Sequence, residues 1–195
     1  MGLTVATPRL IRDPQLGDVL FLSTFYEGAA LLKIESGERP SARVLWARGG
    51  KGRNTDALHA LFATPDIRDG RVYGVCASGE LRCVDLRTGD RLWETAEATT
   101  YDAGPQKWAT AFLVRLGERS DRYLLANEHG DLLVGELTPT GYRGLGRAHV
   151  LEPSNTDAQR PVVWSHPACA GQCVFWRNDN ELICVSFAAA PAEQK

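Results

Sequence analysis

Several things are scarce in this sequence, and each scarcity narrows the chemistry. Lysine and arginine together number 22 against 24 aspartates and glutamates, for a net charge of -2. No cationic excess exists to neutralise phosphates, so nucleic acid is not expected as a principal partner. No apolar run approaches the roughly 20 residues of a bilayer-spanning helix, so no membrane span is expected. From Met1 to Pro14 no charged start leads into an apolar segment, so no secretory signal is visible. That leaves two readings open, a cytosolic protein or a chain whose natural beginning lies upstream. The cysteines at 76, 83, 169, 173 and 184 include no Cys-x-x-Cys pair, which argues against structural zinc. Their odd number cannot pair fully within one chain. All five lie in apolar, strand-like runs and read as small buried hydrophobes, with Cys173 and Cys184, flanking a hairpin, the best disulfide candidate. Sustained 3.6-residue periodicity is also missing, while 19 glycines and 10 prolines punctuate the chain. Only Asp56 to Phe62 offers as much as one helical turn.

What is present is a repeat. Residues 71–93, RVYGVCASGELRCVDLRTGDRLW, alternate apolar and polar around Ser78-Gly79 and again after Thr88-Gly89-Asp90, the pattern of strand, tight turn, strand, turn, strand. Similar paired runs flank Glu27-Gly28, His129-Gly130 and Asn178-Asp179-Asn180. The leucines after these turns, Leu31, Leu81, Leu132 and Leu182, are spaced by 50, 51 and 50 residues. A second marker precedes each unit: Ala6-Thr7-Pro8, Ala63-Thr64-Pro65, Ala109-Thr110-Ala111 and Ser165-His166-Pro167. Each is expected within the first strand of its unit, with Val5, Phe62, Trp108 and Trp164 two residues before the Thr or His and on its face. Trp46 and Trp93 close two units after a Gly-containing turn. A period near 50 residues with four short strands is the signature of a β-propeller blade.

The expected fold class is therefore all-β, with about four antiparallel four-stranded blades, near 3–47, 58–95, 108–150 and 162–187, in one array over 1–187. The last blade lacks its outer strand, and 188–195 reads as a disordered tail. Because Leu3–Arg12 already serves as a first strand, no terminal clasp is left over. The array is expected to form part of a larger propeller or to be completed by a second half, which a homodimer would supply.

The run of apolar strand, Ser-Gly, Glu-Leu-x-Cys-Val-Asp, Thr-Gly-Asp and x-Leu-Trp resembles the repeat of pyrroloquinoline-quinone-like propellers. That family spans quinoprotein alcohol dehydrogenases and a propeller lipoprotein of outer-membrane assembly. Asn54-Thr55-Asp56-x-Leu58-His59, Lys107-Trp108-Ala109-Thr110 and Trp164-Ser165-His166-Pro167 look like bacterial envelope proteins with this repeat, where the match falls in the C-terminal half of a longer ring. The resemblance implies the periplasm or cell envelope. It also raises pyrroloquinoline quinone and calcium as cofactors. Family dehydrogenases use a disulfide of adjacent cysteines, which this chain lacks, and Asn178, Asp179, Asn180 and Glu181 sit where a tight turn needs polar residues. No cofactor and no metal are therefore expected.

Repeat equivalence gathers Asn54, Asp56, His59, Lys107, Trp108, Trp164 and His166 around one mouth of the central channel, as a candidate ligand-binding group. Arg48, Lys51 and Arg53, spaced by glycines 49, 50 and 52, form a candidate loop for an anion or an acidic partner. His129 and His149 read as structural, and Asn127 and Glu128 as exposed. No nucleophile stands beside a histidine by spacing. The expected function is a non-catalytic binding or scaffold module for a protein or carbohydrate. The alternatives are a fragment of a quinone-dependent dehydrogenase or other enzyme using the channel-mouth histidines, and a purely structural half-propeller.

Overall fold

Alternating runs closed by glycine turns become hairpins throughout. The structure is a computed structural model and describes residues 5–50, 57–157 and 159–188. It is all-β apart from one 3-10 turn at Tyr101–Ala103. Blade 1 comprises β1 (Arg9–Asp13), β2 (Gly17–Thr24), β3 (Gly28–Glu35) and β4 (Ser41–Arg48). Blade 2 comprises β5 (Asp66–Arg68), β6 (Arg71–Val75), β7 (Leu81–Asp85) and β8 (Arg91–Thr95), and blade 3 β9 (Ala111–Arg115), β10 (Arg122–Asn127), β11 (Asp131–Thr138) and β12 (Gly141–His149). A two-stranded ribbon follows, β13 (Asn155–Asp157) with β14 (Arg160–Val162), and then blade 4: β15 (Ala168–Ala170), β16 (Cys173–Arg177) and β17 (Leu182–Ser186). Every sheet is an antiparallel meander in chain order, and among the described residues blade 4 has three strands, without an outer one.

The turns fix the registers. Gly28, Gly79 and Gly130, between the second and third strands of blades 1 to 3, all have φ between 84° and 92°. A Cβ on Gly130 would sit 1.6 Å from the Leu151 carbonyl oxygen, so both φ and space require glycine there. The outer strand of each complete blade carries one β-bulge. In blade 1 Leu31 pairs with Trp46 and Leu32 with Val44, leaving Leu45 unpaired. Leu92 and Leu145 are skipped in the same way in blades 2 and 3. The extra residue turns the next side chain toward the following blade.

Three apolar clusters fill the gaps between successive blades. Val19, Phe21 and Leu31 of blade 1 meet Val72, Val84 and Leu86 of blade 2. Tyr73, Val75 and Cys83 meet Tyr123, Leu125 and Leu137. Leu124, Ala126 and Leu132 of blade 3 meet Val174 and Trp176 of blade 4. Trp46 and Trp93 span the first two gaps, their Nε1–H groups donating to the carbonyls of Leu86 (2.9 Å) and Thr138 (2.8 Å).

Several expectations need correction. The Thr-Pro markers stand immediately ahead of the first strands and not inside them: β1, β5 and β15 begin at Arg9, Asp66 and Ala168, the residues after Pro8, Pro65 and Pro167. Proline has no N–H to give a ladder, which suits a position at the strand boundary. Residues 57–62 are not helical. Only Cys76 and Cys83 are buried; Cys169 and Cys184 are exposed and all five are free. Cys184 pairs with Phe175 and Cys173 with Ser186, so the two thiols face each other diagonally across the hairpin. Residues 189–195, the bulk of the expected tail, lie outside the described residues.

Candidate functional site

Backbone hydrogen bonds tie the segments that enter the first strands to the turns and segments of neighbouring repeats. Ala77 N–H donates to His59 O, and Trp108 N–H donates to Ala77 O, both at 2.7 Å. One repeat later Glu128 N–H donates to Thr110 O and Val163 N–H to Glu128 O. This lacing holds His59 and Trp108 beside Phe25. The Phe25 carbonyl lies 3.1 Å from His59 Nδ1, and its ring centroid is 6.4 Å from that of Trp108.

The polar atoms of this pair are unspent. With Nδ1 donating to the Phe25 carbonyl, His59 Nε2 is left as an acceptor, buried and without a partner among the described residues; Trp108 Nε1 is likewise buried and unpartnered among them. A buried polar atom left unpaired costs roughly 1–3 kcal/mol. Trp108 also holds φ at 67°, a left-handed conformation rare for a large side chain, and the Lys107 ammonium lies 4.4 Å from its ring centroid. Burial pushes the His59 pKa below its ordinary value, with the Phe25 carbonyl pulling the other way and Arg82 adding a further lowering. His59 is therefore a neutral imidazole at physiological pH.

Trp164 and His166 go elsewhere. The Trp164 ring stacks obliquely on Phe62 at 4.7 Å, and its Nε1–H donates to Glu128 Oε2 at 3.1 Å. The His166 ring packs on Phe112 at 4.7 Å, with Nδ1 2.8 Å from the Pro167 carbonyl. Asn54 and Asp56 lie outside the described residues, as do Lys51 and Arg53. Arg48 is not in a loop: it ends β4 and pairs with Asp90 of blade 2 at 2.9 Å.

Glu128 and Asn127, read from the sequence as exposed, are both fully buried. Asn127 Oδ1 accepts the N–H groups of His129 and Asp131, closing the turn. Glu128 faces Arg160 of β14, with Nε 2.7 Å from Oε1. Two polar residues ahead of a glycine look like an exposed turn. The signal for burial lies in Arg160, on a ribbon with no counterpart in the earlier repeats, and in Trp164 just after it. A second polar network crosses from blade 2 to blade 3: Tyr123 Oη donates to Asp66 Oδ2 at 2.7 Å and accepts from Arg68 Nε at 3.0 Å. His149 lies between Asp131 and Glu152, at 2.8 and 3.0 Å, and these carboxylates raise its pKa.

Of the oxygens considered for calcium, that of Asn178 is committed to the turn: Oδ1 accepts the N–H groups of Asn180 and Glu181, and Nδ2 donates to the Glu152 carbonyl. Asp179 Oδ2 accepts from Asn155 Nδ2 at 3.4 Å.

No protein-family model matches the sequence. Over 97 residues, 48% of this chain, it is 32% identical to an outer membrane protein assembly factor BamB of Xanthomonas campestris pv. campestris, and the match spans 22% of that protein. The crystal structure of BamB from Moraxella catarrhalis superimposes on 92% of this chain with a TM-score of 0.55 at 13% identity, and the match takes in 41% of that structure. A europium-containing methanol dehydrogenase aligns over 90% of this chain and 36% of its own at 11% identity, with a TM-score of 0.47. This chain thus spans well under half of the proteins it matches. Its four meander sheets, its 50-residue period and the BamB superposition show a β-propeller repeat fold.

Proposed function

We infer that the chain is a non-catalytic, protein-binding scaffold of the bacterial cell envelope, acting as an arc of a larger or dimer-completed propeller. The observation that carries this reading is the channel-mouth pair. His59 and Trp108 hold an acceptor and a donor unspent beside Phe25 and Lys107, with Trp108 strained in place. Both nitrogens are buried, so the surface that a partner would meet is the exposed Lys107 and the half-buried Trp108 ring beside them. The likeness to an outer membrane assembly factor supports a protein over a carbohydrate partner and an envelope location. Neither His59 nor His166 has a hydroxyl, thiol or carboxylate hydrogen-bonded to it among the described residues, which favours binding over acid–base or nucleophilic catalysis.

The closing of the ring rests on the end faces. Blade 1 exposes Leu10 and Val44, and blade 4 exposes Phe175 and Leu182, on sheet faces that inside the array are covered by a neighbouring blade. Further blades or a second copy would cover them.

A photo-crosslinking amino acid at position 108, introduced in bacterial cells, tests the reading. The expected product is an adduct with an envelope assembly protein that disappears when His59 is also changed to Ala. An adduct-free chain, or dye-linked alcohol oxidation after loading with pyrroloquinoline quinone and calcium, would overturn it.

A further inference from the structure

The inter-blade gaps are built from equivalent rows, and one row breaks the pattern. Across the register, blade 1 sets Phe21 beside Leu31 and Trp46, and blade 2 sets Tyr73 beside Cys83 and Trp93. Blade 3 sets Leu124 beside Val134 and Gly146. In the first two rows the aromatics touch, with ring centroids at 6.1 and 6.2 Å. In the third both aromatics are missing. Gly146 follows the bulged Leu145 as Trp46 follows Leu45 and Trp93 follows Leu92, so it holds the tryptophan position. Its φ is not in the left-handed region, and a Cβ added there would meet nothing within 4 Å.

The surface that each tryptophan covers is also equivalent. Leu86, Leu137 and Phe187 each donate their N–H to the carbonyl that opens their blade's second strand, on Gly70, Asp121 and Gln172. Each follows the inward alternation of its third strand. Leu86 is 1% exposed and Leu137 0%, under Trp46 and Trp93, whereas Phe187, which repeat equivalence sets opposite Gly146, is 49% exposed. A gap that an indole fills twice in this chain is open the third time.

We propose that the notch between Gly146 and Phe187 is a docking site for a tryptophan side chain of a partner protein. The occupant follows from the two filled gaps, where an indole packs on this surface and donates its N–H to a carbonyl of the next blade. The notch continues the blade 3–blade 4 interface. On its other side Gly146 borders a cleft of about 730 Å³ that also holds Tyr101, Tyr142, Glu97 and Arg147. The Arg147 guanidinium, 4.5 Å from the centroid of the Tyr101 ring, has no carboxylate partner among the described residues. Glu97 sits at the Gly144 end. Arg147 faces the opposite side of the sheet from the notch, so an acidic residue flanking the partner's tryptophan would reach it around the free edge of the outer strand β12. Buried aromatic anchors of this kind dominate the energy of protein interfaces.

The test uses the whole chain and two capped peptides, one with a central Trp-Asp pair and one with Ala-Asp, titrated calorimetrically. The Trp-Asp peptide is expected to bind, and the Ala-Asp peptide roughly tenfold or more weakly. Gly146→Trp, which supplies the indole internally, is expected to raise Tm and abolish peptide binding. Phe187→Ala, at an exposed position, is expected to leave the fold intact and weaken binding about fivefold or more. Equal or absent binding of the two peptides by the wild type overturns the proposal. So does Gly146→Trp that keeps the preference for tryptophan, or Phe187→Ala that binds as the wild type does. If Gly146→Trp does not fold, the Phe187→Ala titration decides alone.

Discussion

The ring of Phe62, which precedes the first strand of blade 2, lies 4.7 Å from the ring of Trp164, which precedes that of blade 4. The two belong to blades that are not neighbours in the array. Their contact passes over the start of blade 3, and Phe62 packs against the cluster between blades 3 and 4. The centre of the arc is therefore held by side chains as well as by the inter-blade gaps. Phe62→Ala is expected to cost about 3 kcal/mol, the lower end for a large aromatic, measured by urea unfolding at constant m-value. A change below about 0.5 kcal/mol would mean that the contact carries no load.

Glu128 is the buried charge on which blade 3 and the ribbon converge. Glu128→Gln leaves the Arg160 guanidinium with Asp157, 3.2 Å away, as its remaining carboxylate partner and is expected to destabilise by about 2 kcal/mol. Adding Arg160→Met to it should restore part of that loss, because the cation that has lost its buried partner is then gone. Chemical denaturation of the two variants measures both, and a double variant as unstable as the single one would contradict the account.

Tyr123→Phe removes one hydroxyl that both donates to Asp66 and accepts from Arg68. The expected loss is about 1–2 kcal/mol, from the two hydrogen bonds removed. Thermal unfolding monitored by circular dichroism should register it as a lower Tm with the native spectrum unchanged.

His59 gives a pH dependence of definite sign. Its folded pKa lies below the ordinary value of 6.5, so the stability it contributes is present above pH 6.5 and is lost as pH falls. His149 shifts the other way and loses its contribution as pH rises through its raised pKa. Comparing wild type with His59→Gln cancels the His149 effect. Below pH 6.5 the Tm of the wild type should fall more steeply than that of the variant; parallel curves would remove His59 from the balance.

The blades were legible because their causes are local. A glycine at positive φ every 50 residues or so, flanked by period-2 alternation, specifies a hairpin whatever the rest of the chain does. Trp46 and Trp93 were legible as the ends of two repeats; that they span the gaps to the next blades came from the structure. The burial of Glu128 was not legible, since its partner Arg160 sits on a ribbon outside the period. The exposure of Cys169 and Cys184 was hidden for a related reason. Blade 4 has strand-like residues on both faces, and alternation tells which side chains share a face but not whether a neighbour covers it. The register of Gly146 with the tryptophans was readable in principle, through Leu45, Leu92 and Leu145. It needs a bulge in each outer strand that hydropathy alone does not mark.

Those bulges carry a consequence for how the repeats can change. A strand presents alternate residues to opposite sides, so deleting the single unpaired leucine from β8 would swing Trp93 away from blade 3 and drive Arg91 or Glu94 into the space it leaves. Substitutions at Leu45, Leu92 or Leu145 are mild by comparison, since those side chains are at least partly open to solvent. The spacer tolerates variety in what it is made of and none in how many residues it has.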